Sequence, residues 1–88
     1  MAIRQITIIG TGLIGGSLGL ALKKRKFGGQ IVGCDRVPVL ERAREVGAID
    51  NGFPNAADAV RGSQVVVLAT PVIAIIDFIE RLGPALSA

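Results

Sequence analysis

The chain has 88 residues, ten basic and seven acidic side chains, a formal net charge of +3, and a half-hydrophobic composition whose only aromatics are three Phe. That length sets one small domain, and the apolar content excludes an intrinsically disordered chain. One cysteine and no histidine exclude an intrachain disulfide, a thiolate metal cluster, and the commonest general base and metal ligand.

In chain order, "QITII" is a β-branched run that ends at Gly10, and it predicts a buried strand over 5–9. Residues 13–26 place Ile14, Leu18, Ala21 and Leu22 at helical spacing. Gly28-Gly29 stops that helix. Its last turn holds the run Lys23-Lys24-Arg25-Lys26. Cations are favourable beside the negative end of a helix dipole, and no aromatics interleave to stack bases. No nucleic-acid partner is therefore expected. "QIVGCD" is a second strand ending in an acid, with Cys34 packed inside it as a small hydrophobe.

Pro38 suits the first turn of a second helix, to which Val39, Leu40, Ala43 and Val46 give an apolar side and Gly47 an end. "AIDNGFPN" is rich in turn residues and leaves room for a short third strand. Asn55 caps a brief helix over 56–61. "QVVVLAT" is the clearest strand, closed by Pro71, and 72–86 form a last helix with Val72, Ile75, Ile76, Ile79, Leu82 and Leu86 on one face. This alternation predicts an α/β fold: a Rossmann-type, doubly wound parallel sheet of about four strands with helices on both faces. No signal peptide and no membrane span is expected, so a cytoplasmic location follows as the default.

The functional signal lies in "ITIIGTGLIGGSLG". Gly10, Gly12 and Gly15 form G-x-G-x-x-G directly after a strand and at the start of a helix, and Asp35 closes the next strand twenty residues after Gly15. Glycine loops alone are common; strand, helix and acid together form a dinucleotide-binding fingerprint. Gly10 permits the tight turn, Gly12 lets a pyrophosphate approach the backbone, and Gly15 allows close helix packing. Thr11 lies between the first two. The free N–H groups of Leu13 and Ile14 face the phosphates.

A P-loop is excluded because no Gly-Lys-Ser/Thr follows. An S-adenosylmethionine methyltransferase fits the third glycine and the Gly16-Ser17 pair less well. Asp35 accepts from the adenosine ribose and favours NAD; Arg36, able to pair with a 2′-phosphate, keeps NADP open. Ala69, Thr70 and Pro71 stand where the nicotinamide ribose belongs, although Thr70-Pro71 could equally do no more than end a strand.

"IIGTGLIGGSLGLAL", "IVGCDR", "GAID" and "VVVLATPV" together resemble the start of the prephenate/arogenate dehydrogenase family, over about residues 3–86. The resemblance implies NAD(P)-dependent oxidative decarboxylation of prephenate or arogenate in tyrosine biosynthesis, and a homodimer formed through a helical domain. It assigns Gly10, Gly12, Leu13, Ile14 and Gly15 to the pyrophosphate, Asp35 and Arg36 to the adenosine end, and Ala69, Thr70 and Pro71 to the nicotinamide side. The family's catalytic histidine, substrate arginine, last strands and helical domain have no counterpart in these 88 residues. They are therefore expected to be the N-terminal portion of a longer enzyme, silent alone. Other hydroxyacid-type dehydrogenases and a non-catalytic dinucleotide sensor share the same opening.

Overall fold

The computed structural model describes residues 3–69. The elements are β1 (Gln5–Ile9), α1 (Leu13–Lys24), β2 (Gln30–Cys34), α2 (Val37–Glu45), β3 (Asn51–Phe53), α3 (Ala56–Val60) and β4 (Val65–Leu68). The strands form one sheet in the order β3-β2-β1-β4, and every pairing is parallel. β1 therefore lies between β2 and β4, and the direction of sheet growth reverses there. Ile6, Ile8 and Ile9 of β1 stand opposite Ile31, Gly33 and Cys34 of β2, and opposite Val65, Val67 and Leu68 of β4.

Side chains alternate across the sheet, so a central parallel strand buries both faces. Ile6, Ile8 and Ile31 pack with Leu40, Ala43, Ala48 and Ile49, against Leu18, Leu22 and Phe27. That face carries α1 and α2. Ile9, Val32 and Cys34 pack with Ala56, Ala59 and Val60 of α3 on the other face. The doubly wound expectation holds, with helices on both sides.

Polar ties fix the crossovers. Thr7 is wholly buried. Its hydroxyl donates to the Ala59 carbonyl at 2.7 Å and shares a hydrogen bond with the Ser63 hydroxyl. Gln64 Oε1 accepts from the amides of Arg4 and Gln5 at 2.7 and 2.9 Å. These bonds hold the end of α3 and the start of β4 against β1. On the other side, Asp50 Oδ2 accepts from the Ile31 amide at 2.8 Å, and Asp50 Oδ1 pairs with the Lys23 ammonium. Partial burial pushes the Asp50 carboxyl up, but the Lys23 ammonium and the Ile31 amide outweigh it and hold the carboxyl below its usual range. The Asp of "GAID" thus joins the last turn of α1 to the start of β2.

The end of α1 differs from expectation. The first helix ends at Lys24 rather than 26, and its left-handed residue is Lys26 (φ 60) rather than a glycine. The Phe27 amide donates to the Leu22 carbonyl and the Lys26 amide to the Lys23 carbonyl, the reciprocal pattern of a Schellman end. Phe27 and Leu22 both pack on the core, and that contact sets the stop before the glycines are reached. The third strand exists: Asn51, Gly52 and Phe53 pair with Val32, Gly33 and Cys34. α3 is capped as expected by Asn55, whose Oδ1 accepts from the Asp58 amide at 3.2 Å. The helix expected over 72–86 lies outside the described residues. Among the described residues no helix is long and apolar enough to cross a membrane.

Candidate nucleotide site

The site forms at the carboxyl ends of β1, β2 and β4, beside the point where sheet growth reverses. That edge is where open α/β sheets bind ligands. Gly10 leaves β1 with φ 91, a conformation that disfavours any side chain, and its amide donates to the Cys34 carbonyl at 2.8 Å. The turn is thereby tied to the end of β2. Thr11 follows at 4% exposure, with its amide donating to Asp35 Oδ2 at 2.9 Å. Its Oγ1 is buried with no hydrogen-bond partner among the described residues. Gly33 makes room beneath: a Cβ there would stand 2.6 Å from Thr11 Cγ2.

Gly12 opens α1. A Cβ on it would meet nothing within 4 Å, so this glycine is not demanded by packing; it leaves the approach to the turn open. The first helical bond runs from the Gly16 amide to the Gly12 carbonyl at 2.7 Å. The amides before it have no intrahelical acceptor. The first turn of α1 carries no acidic side chain of its own, so an anion there meets N–H groups and the positive end of the helix dipole. Leu13 and Ile14, 89% and 75% exposed, flank that end.

Gly15 is required by contact. Its Cβ would fall 1.8 Å from the Gly10 carbonyl oxygen and 3.0 Å from Ile8 Cγ2. One turn later Gly19 shows the same constraint, with a Cβ 2.1 Å from the Ala48 carbonyl oxygen. Sequence reasoning missed Gly19, although a second glycine four residues after Gly15 marks one small-residue stripe on the helix. Gly16 is different: its Cβ would rest 3.4 Å from the Thr11 carbonyl oxygen.

Asp35 is half-buried and follows β2. Its Oδ2 takes the Thr11 amide and its Oδ1 the Arg36 amide at 2.7 Å. Arg36 is exposed at the cap of α2, and among the described residues its guanidinium makes no ion pair. The Ala69 amide donates to the Ile9 carbonyl at 2.8 Å, which extends the β1–β4 ladder to the edge of the glycine turn. Gly10, Thr11, Gly12, Gly15, Asp35 and Ala69 are thus brought to one edge; Thr70 and Pro71 lie outside the described residues. A groove of about 620 Å³ runs beside the turn between α1 and α2, lined by Thr11, Leu13, Leu20, Val39 and Val46. Among the described residues no cluster of His, Cys, Asp or Glu could hold a metal ion.

A parallel sheet, a strand–glycine turn–helix unit open at Gly12, and an acid after β2 define the chain as a nucleotide-binding domain of the Rossmann class. Comparison with known proteins narrows the class. The family model "Prephenate dehydrogenase, nucleotide-binding domain" matches residues 18–88, and the chain belongs to that family. A prephenate dehydrogenase of Lactococcus lactis is 32% identical over 83 residues, 91% of this chain and 22% of that protein. The chain therefore spans about a fifth of that relative's length.

Among solved structures, prephenate dehydrogenase from A. aeolicus, in complex with hydroxyphenyl propionate and NAD+, aligns over 97% of this chain and 30% of its own, with a TM-score of 0.85 and 27% identity. Synechocystis arogenate dehydrogenase aligns over 93% of this chain and 29% of its own, with a TM-score of 0.83 and 29% identity.

Proposed function

We propose that the chain is the NAD-binding portion of a prephenate or arogenate dehydrogenase. The observation that carries this reading is the shape of the glycine turn: a space at Gly12 that no packing demands, beside amides that have no helical acceptor. The donor set suits a pyrophosphate, which needs N–H groups and a close backbone rather than a counter-charge. The carboxylate of Asp35 suits ribose hydroxyls, because each oxygen accepts one amide and keeps acceptor capacity. The family match and the NAD+ held by the A. aeolicus structure support the same cofactor.

In this reading the amides of Leu13, Ile14 and Gly15 and the turn at Thr11 hold the pyrophosphate. Asp35 fixes the adenosine ribose and disfavours a 2′-phosphate, while Arg36 keeps some affinity for NADP. Ala69, Thr70 and Pro71 bound the nicotinamide ribose. NAD supplies a hydride acceptor. In the proposed reaction the carbon bearing the substrate hydroxyl gives up hydride, and loss of carbon dioxide makes the ring aromatic.

None of the residues assigned here moves a proton in that step. The chain binds and orients, and the base, the substrate site and a dimerising helical domain belong to the remainder of a cytoplasmic enzyme. The test is the absorbance of NADH formed from NAD+ and prephenate or arogenate. The enzyme carrying this domain should turn over, and the 88 residues alone should not. Turnover by the isolated residues would overturn the division of labour, and no turnover of either substrate by the whole enzyme would overturn the assignment.

A further inference from the structure

We propose that Asp35 has a second role beyond the ribose. Through the Thr11 amide, its carboxylate clamps the turn that cradles the pyrophosphate. The proposal rests on the dinucleotide reading above and adds to it, because ribose recognition and phosphate-cradle shape then depend on one side chain.

The turn between β1 and α1 is gripped by the end of β2 at two successive amides. Gly10 N–H reaches the Cys34 carbonyl at 2.8 Å, and Thr11 N–H reaches Asp35 Oδ2 at 2.9 Å. Neither partner comes from α1 or β1. The Thr11 side chain adds no polar restraint among the described residues, since its Oγ1 has no partner, and Gly33 below offers only a surface for its methyl group. Gly12 has open space where a side chain would stand. The Asp35 carboxylate is therefore the one side chain among the described residues that hydrogen-bonds to Thr11. An ionised carboxylate has about four acceptor positions; two amides use two. Ribose hydroxyls can take the rest without breaking the clamp, so a bound nucleotide and the clamp coexist. Asp35 is a positioning residue for the phosphates, acting through Thr11.

Charge and clamp predict opposite signs. Removing a negative charge beside an anion site should tighten binding of an anion. Removing the acceptor that holds Thr11 should loosen the cradle and weaken it. Asp35→Asn removes the charge but leaves a carbonyl oxygen for the Thr11 amide. Asp35→Ala removes both.

The experiment is inorganic pyrophosphate and NADH binding by calorimetry to the full-length protein and both variants, with hydrogen exchange at the Thr11 amide read by NMR. Amides of β1 and β2 in the same spectra report the fold, and Asp35→Ser, too short to span the gap, replaces the alanine variant if that fails to fold. The clamp predicts a Thr11 amide protected in the wild type and in Asp35→Asn and exposed in Asp35→Ala. It also predicts pyrophosphate binding about tenfold weaker in Asp35→Ala than in Asp35→Asn.

Equal exchange and equal pyrophosphate affinity in the two variants would overturn the clamp. A protected Thr11 amide that Asp35→Ala exposes, in a protein that binds no NADH, would uphold the clamp and sink the dinucleotide reading instead.

Discussion

Gly15 and Gly16 are neighbours in sequence and in α1, yet alanine should act on them with opposite signs. At Gly15 the new Cβ would lie 1.8 Å from the Gly10 carbonyl oxygen. To reach an ordinary contact, backbone must retreat by more than an ångström. Gly10 cannot yield easily, because its positive φ and its bond to Cys34 hold it, and Ile8 blocks the other side at 3.0 Å. Overpacking of this kind costs about 1–3 kcal/mol, and a backbone obstacle argues for the upper end. Replacing glycine inside a helix returns about 1 kcal/mol.

The net loss is about 2 kcal/mol, or roughly 10 °C in Tm for a domain of this size. At Gly16 the Cβ rests 3.4 Å from the Thr11 carbonyl oxygen, and the helix gain of about 1 kcal/mol stands nearly alone. Urea unfolding of Gly15→Ala and Gly16→Ala, compared with wild type, measures both. A Gly15→Ala protein as stable as wild type, or a Gly16→Ala protein less stable than Gly15→Ala, would refute the close approach of helix and turn.

Three further outcomes follow from the same geometry. Lys26→Gly should stabilise by about 0.5–1 kcal/mol in thermal unfolding, because a left-handed residue (φ 60) is relieved of its side-chain penalty. The Asp50 carboxyl is held below its usual range when folded, so the unfolded chain takes up the proton first. The stability this pair contributes is present above the unfolded value, near pH 4, and is lost as the pH falls through the folded one; Asp50→Asn should flatten urea midpoints measured from about pH 5 to pH 2. Arg36→Ala should weaken NADP about tenfold while leaving NAD within about threefold, the scale of one charge-assisted hydrogen bond, as read by competition against NADH.

Much of this fold is legible locally. The run from Gln5 to Ile9, the glycine turn, the acid after β2 and the Val-rich β4 are all contiguous patterns, and each element stands where its pattern places it. Legibility ends where the cause is distant in sequence. β3 is three residues inside a turn-rich stretch, and it is a strand because Val32, Gly33 and Cys34 are there to pair with it. The end of α1 falls before the point its sequence suggests. Glycines are the usual stop signal, whereas packing of Phe27 on the core forces Lys26 into the left-handed turn. Gly19 looks optional until the Ala48 carbonyl is found 2.1 Å from where its Cβ would be. The same holds at the site. Gly10, Gly12, Gly15 and Asp35 are recognisable by spacing, but the bond from the Thr11 amide to Asp35 belongs to no motif.

The central claim is that the turn at Gly12 is shaped for a dinucleotide rather than for packing. NADH fluorescence titration of wild type and Gly12→Val, with unfolding curves for both, tests it directly. A Cβ at this position meets nothing within 4 Å, so the valine should cost no more than the loss of a favourable N-cap residue of α1, about 1 kcal/mol, while filling the space the pyrophosphate needs. The account predicts saturable NADH binding by the wild type, displaced by NAD+, and at least a tenfold loss in a folded Gly12→Val protein, about 1.4 kcal/mol or more. Saturable binding that survives the valine unchanged, or no binding by the wild type, would contradict it.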